Sequence, residues 1–221
     1  MPARRKLSIY KYKRLAAESL KNALRLHTDS IFLFRSGSYP SAFQLAVLSL
    51  EEFSKAKWIE HYYWSSVTNG GFPDYEFEQK WLAVLYSHPK KQSHFVSQDL
   101  FDFSPKLVRF IESKKLEEKK QQAVYVGLER KGKHVDTASR ISTPARIKES
   151  DARQIISLVN QEFVDIFNTI EQSETYFDIP EMDELIYPDL RHFLFAWPHR
   201  SGLKSRARFF KQHISGLSRG T

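Results

Sequence analysis

At 221 residues, 41% of them hydrophobic and including 17 Phe, 10 Tyr and 4 Trp, the chain is long and apolar enough to bury a core, which excludes a disordered tail or linker. Eight Gly and nine Pro are too few turn-makers for a many-stranded sandwich or barrel, and the lack of cysteine excludes disulfides, a thiolate nucleophile and cysteine metal sites. The net charge of +8 suits an anionic partner such as nucleic acid, a ribosome or an acidic protein.

Residues 8–36 read as a first long helix, because Leu20, Leu24, His27, Ile31 and Phe34 recur at three- and four-residue steps. Gly37 breaks it, and Pro40 suits the first turn of a second helix over 39–68, which stops at "TNGGFP". Two helices joined by so short a turn should pack as an antiparallel pair. A third helix is expected at 75–86, ending near "SHPKKQ", and another at 104–122, with Ser104 as N-cap before Pro105. Val124, Tyr125 and Val126 are strand-like and Gly132 suits a turn, so a small β-hairpin is expected near 123–136. A long helix follows at 148–177, on the mostly apolar stripe Ile155, Leu158, Val159, Glu162, Phe163, Ile166 and Ile170. Pro180, Pro188 and Pro198 divide the next stretch into short pieces, and a basic helix is expected at 203–215.

The second helix poses a chemical question. Its stripe Leu45, Leu48, Glu52, Lys55, Ile59 is apolar apart from Glu52 and Lys55, and Glu51 lies four residues before Lys55. A carboxylate buried there needs a cation, either Lys55 or one from another helix. Two explanations stay open, an ion pair that only fixes helix register or a polar site within a bundle. His88, Lys90 and Lys91, beside Pro89, form a second candidate group, able to bind phosphate or to serve in acid–base cleavage of RNA. No Gly-rich phosphate loop, serine elbow or zinc-ligand spacing is present, so no cofactor or metal is expected.

The stretch "NALRLHTDSIFLFRSGSYPSAFQLAVLSLEEFSKAKWI", Asn22 to Ile59, resembles the signature helix pair of the AbiV abortive-infection family of HEPN-like helical proteins. Asn22, Asp29, Tyr39, Ala42, Ala46, Glu51, Glu52 and Lys55 carry the match. "SHPKKQ" is similar to the family's His-and-Lys segment and "QAVYVGL" to its Tyr-Val segment, with Gly127 where an acidic residue is expected.

The resemblance implies an all-α, HEPN-like bundle centred on the antiparallel pair, spanning 1–221 as a single domain. A basic arm at 1–7 and a basic segment at 200–221 would flank it. It implies a phage-defence protein that arrests growth or translation on infection, with a metal-independent endoribonuclease as its candidate activity. Glu51, Glu52, Lys55, His88 and Lys91 are the first candidate catalytic cluster. HEPN ribonucleases also carry an Arg followed at a short interval by His, and "RARFFKQH" supplies Arg206 or Arg208 with His213 as the alternative. The partners implied are RNA or a ribosome, a phage protein as trigger, and a second copy of the chain. The rival function is a non-catalytic binding module that holds a protein or ribosomal partner through its basic ends. No apolar run reaches membrane-span length and "MPARRKLSIYKYKR" lacks a signal-peptide core, so a cytoplasmic location without membrane contact is expected.

Overall fold

The computed structural model describes residues 6–97, 102–128, 130–131, 134–173 and 188–204. Helix α1 (Ile9–Arg35) begins where the Ser8 hydroxyl accepts a bond from the Lys11 amide, and it ends before Gly37, whose φ of 79° suits a residue without Cβ. Helix α2 (Tyr39–Thr68) starts with Pro40 in its first turn and stops ahead of Gly70 and Gly71, both at positive φ. The two lie antiparallel along Ala16, Ala17, Ala23, Ala42 and Ala46, all buried. Small side chains bring the backbones close enough for the Ser49 hydroxyl on α2 to donate to the Ala23 carbonyl on α1, at 2.6 Å. The expected central pair is therefore present, with ends within a residue of the expectation.

Helix α3 (Tyr75–Val84), capped by Asp74, closes one end of the pair. Its buried Glu78 accepts from the Tyr12 hydroxyl and from the Leu7 amide, beneath a cluster of Tyr12, Tyr62, Phe72 and Trp81 rings. Burial and the Glu78 carboxylate push the Tyr12 phenol upward from its ordinary value.

Three departures from expectation follow. "HPKKQSHFVS" forms helix α4 (His88–Ser97), where only an end of the third helix was expected. The expected helix at 104–122 is two, α5 (Pro105–Glu112) and α6 (Lys115–Gln122), parted at Lys114 with φ 59°. Packing phase is the reason. Leu107 and Ile111 face the core from α5, whereas α6 buries Leu116 and Lys120, and the step of five from Ile111 to Leu116 does not fit one continuous helical face. The hairpin exists but is smaller and later than Val124–Val126, with β1 (Arg130–Lys131) antiparallel to β2 (His134–Val135).

Helix α7 (Glu149–Ser173) packs against α1 and α2, and α8 (Pro188–Phe195) against α7. Inside this contact the His27 ring nitrogen Nε2 meets Asn160 Oδ1 at 3.0 Å, while the Asn160 amide nitrogen donates to the Leu194 carbonyl. That orientation makes Nε2 the protonated nitrogen, and burial lowers His27 to about 4 even though the Asn160 bond favours the charged form.

Residues 197–204 return across the bundle. The Trp197 indole donates to Ser157, the Gly202 amide to Gln154, and the Ser104 amide to the Leu203 carbonyl. Lys204, expected near the start of a basic helix, has a side chain only 6% exposed and paired with Glu162 on α7. No described helix is long and apolar enough to cross a membrane.

Candidate functional site

The charged residues of α2 sit where α4 and α6 both pack against it. Glu51 is fully buried. Its Oε1 accepts from Gln92 Nε2 and from Lys120 Nζ, each at 2.7 Å, and its Oε2 accepts from His88 Nδ1 at 2.5 Å. The partners thus come from α4 and α6, neither adjacent in sequence. Lys120, 2% exposed, also pairs with Glu117 at 2.7 Å, and Gln92 donates to the same Glu117 oxygen. Both oxygens of Glu51 and of Glu117, the Lys120 ammonium and the Gln92 amide nitrogen all have partners, which removes much of the penalty for placing them in the interior.

Glu52, the neighbour on α2, lies at the edge of the group. Its two oxygens take Lys91 Nζ at 2.9 Å and Lys55 Nζ at 3.4 Å. The Lys91 carbonyl in turn accepts from the Ser54 hydroxyl, which fixes α4 to α2. Burial pulls the Glu52 carboxyl upward, but the Lys91 and Lys55 ammonium groups outweigh it and leave it below its ordinary value. Glu117 behaves alike: burial raises it, and its bonds from Lys120 and Gln121 bring it lower overall. Lys55 also lies under the Tyr86 ring, 5.6 Å from its centre.

The structure therefore brings Glu51, Glu52, Lys55, His88 and Lys91 together, with a correction to their roles. Glu52, expected to pair with Lys55 or with a cation from another helix, has both, in Lys55 and in Lys91 of α4, while Glu51, expected within reach of Lys55, is the wholly enclosed carboxylate and is held instead by Lys120, Gln92 and His88. Because these lysines and carboxylates are mostly withdrawn from solvent, a solvated surface pair does not describe them. Gln92, Glu117 and Lys120 escaped sequence reasoning. The available signal was Lys120 four residues after Leu116 on a helix that is otherwise polar.

Charge balance defines what the cluster can do. Three carboxylates, Glu51, Glu52 and Glu117, face three ammonium groups, Lys55, Lys91 and Lys120. His88 is the remaining titratable member, and its side chain is 50% exposed. With Glu51 accepting from Nδ1, a neutral ring carries its lone pair on Nε2, the nitrogen directed away from the carboxylate. A buried carboxylate orienting an accessible imidazole is an arrangement suited to proton transfer.

The remaining candidates lie apart. Asn22 and Asp29 both bind Arg25 in an exposed ladder on α1. Arg206, Arg208 and His213 fall outside the described residues, as does most of the expected helix at 203–215. No group of three or more His, Asp or Glu able to hold a metal occurs among the described residues. His199 packs edge-on against Phe34 and Trp197.

No curated protein and no solved structure matches the chain. The HEPN_AbiV family model, described as AbiV, matches residues 11–164. That span begins in the first turn of α1, ends within α7, and contains every member of the charged cluster. The chain belongs to the AbiV family of HEPN-type abortive-infection proteins.

Proposed function

We propose that this protein arrests growth during phage infection as a metal-independent endoribonuclease, with His88 as general base. The observation that supports this reading is the contact of His88 Nδ1 with the wholly buried Glu51 on a half-exposed side chain, an arrangement in which a neutral ring donating from Nδ1 has Nε2 as its acceptor. In the reaction, Nε2 removes the proton of a ribose 2′-hydroxyl, and the oxygen attacks the adjacent phosphorus. The bond to the 5′-oxygen breaks, that oxygen takes a proton from solvent, and a 2′,3′-cyclic phosphate remains. Lys90, exposed in the first turn of α4, and the positive end of that helix favour the phosphate's approach. A phage product as trigger and a second copy of the chain as partner belong to the same proposal.

One observation favours the rival binding module. Lys55, Lys91 and Lys120 are already matched by carboxylates, so the cluster also has the makings of a purely structural network. Purified protein incubated with total RNA, alone and with phage extract, separates the two. The expected result is EDTA-resistant cleavage leaving cyclic phosphate ends, reduced about 100-fold or more in His88→Ala. Cleavage undiminished in His88→Ala, or dependent on added metal, would remove the proposal, and RNA binding without cleavage would favour the rival.

A further inference from the structure

The donors around Glu51 are divided unevenly between its two oxygens. Lys120 Nζ from α6 and Gln92 Nε2 from α4 both bond Oε1 at 2.7 Å, which leaves Oε2 to His88 Nδ1 at 2.5 Å. Gln92 stands one turn after His88, so a single face of α4 presents both groups to the same carboxylate. Its amide nitrogen also donates to Glu117, and turning the amide oxygen toward Glu51 would lose both bonds. Lys120 is held as firmly. Its side chain is 3% exposed between Glu51 and Glu117, and the neighbouring Lys119 ties α6 to Asp151 on α7 at 2.6 Å. The bond from the Ser54 hydroxyl to the Lys91 carbonyl fixes α4 against α2.

This division governs where one proton rests. With Oε1 taken by two N–H donors, a proton on the Glu51 carboxyl has only Oε2 to occupy, facing His88. The proton of the Glu51–His88 bond therefore sits on Oε2 or on Nδ1. If it sits on Oε2, Nδ1 becomes the acceptor, and a neutral ring carries its own hydrogen on Nε2, which then cannot take another. If it sits on Nδ1, Nε2 is the free base. Enclosing a carboxyl in an apolar interior favours the first arrangement, because the ionised form loses its solvation. An ammonium and an amide bonded to Oε1 favour the second, because both bonds are stronger to a carboxylate than to an acid. We propose that Lys120 and Gln92 are positioning residues for the cleavage reaction, which keep the shared proton on His88 Nδ1 and so leave Nε2 able to take the 2′-hydroxyl proton. The inference rests on the ribonuclease reading for the reaction it serves, whereas the place of the proton is a property of the cluster itself.

Nitrogen NMR of protein carrying isotope-labelled histidine distinguishes the two tautomers, and the His88 signals are identified by their loss in His88→Ala. A neutral His88 ring in the wild type should carry its hydrogen on Nδ1. In Lys120→Met the population should move toward Nε2, kcat for RNA cleavage should fall about 10-fold or more, and KM should stay within about 2-fold of wild type. Lys120→Arg, which keeps the charge, should restore the Nδ1 form and most of kcat. Gln92→Met removes an uncharged donor and should move the tautomer the same way by a smaller amount. It also decides the matter where Lys120→Met fails to fold. A network with only a structural role would lower the unfolding midpoint and leave the tautomer as in wild type. That result in both variants, or hydrogen on Nε2 in the wild type, would overturn the proposal. RNA left uncut by the wild type, with the tautomer shift present in the variants, would instead remove the ribonuclease reading and keep the proton where the inference puts it.

Discussion

Replacing Lys120 by Met is the sharpest probe of the buried network. The substitution roughly keeps the length of the side chain and deletes the ammonium group shared by Glu51 and Glu117. Breaking one side of a buried ion pair costs about 3–5 kcal/mol, most of it the penalty on the charge left behind. Glu51 keeps its bonds from Gln92 and His88, so the lower end, about 3 kcal/mol, is the expected loss. In a chain of this length that lowers the melting temperature by about 6–12 °C. Urea unfolding followed by circular dichroism at pH 7 measures it. The double variant Glu51→Gln with Lys120→Met removes both charges and should recover a large part of the loss, giving a coupling energy above about 1 kcal/mol. Lys90→Met, at an exposed position on α4, should stay within about 0.5 kcal/mol of wild type. An unchanged midpoint for Lys120→Met, or simple addition in the double variant, would refute the claim that Glu51 depends on Lys120.

Stability should also fall with acidity because of His27. Its folded value of about 4 lies below the ordinary 6.5, so between these values the unfolded chain binds a proton that the folded chain does not. The contribution is complete above about pH 6.5 and lost as pH drops toward 4, by about 3 kcal/mol in all. His94 adds to the loss in the same window, and the lowered Glu52 and Glu117 add theirs below their ordinary value of 4.5. Urea midpoints from pH 7 to 4.5 should show the slope, and a His27→Gln variant with the same slope as wild type would contradict it. Lys114→Gly should gain about 0.5–1 kcal/mol, since glycine accepts the φ of 59° without a Cβ conflict; a lower urea midpoint would count against it. Lys55→Ala should cost only about 1 kcal/mol, because Glu52 retains Lys91, and a loss as large as that of Lys120→Met would count against this.

The central pair was legible because local chemistry marks its ends: Ser8, Gly37 and Pro40 each act within one turn of the residue they terminate or start. Helix α4 was not, because two of its four buried residues are Lys91 and Gln92, so apolar periodicity misses the face it buries. Which of Glu51 and Glu52 is wholly enclosed was not legible for a related reason. Helix α2 meets α1, α4, α6 and α7, and a helix covered on several sides has no single stripe from which to tell adjacent residues apart. Lys120 was invisible because only tertiary packing gives a lysine in "KLEEKKQQ" a carboxylate from another helix. The charged character of the site could be read locally, whereas its membership is set by residues up to 69 positions apart.

The even match of three carboxylates with three ammonium groups bears on how this sequence can drift. Losing Glu51 or Lys120, the most deeply buried members, leaves an uncompensated charge in the interior, a step that costs more than losing a matched pair. Positions 51 and 120 are therefore bound to change together or not at all, and a relative carrying an apolar residue at position 120 is expected to carry an uncharged one at position 51 or 117 as well.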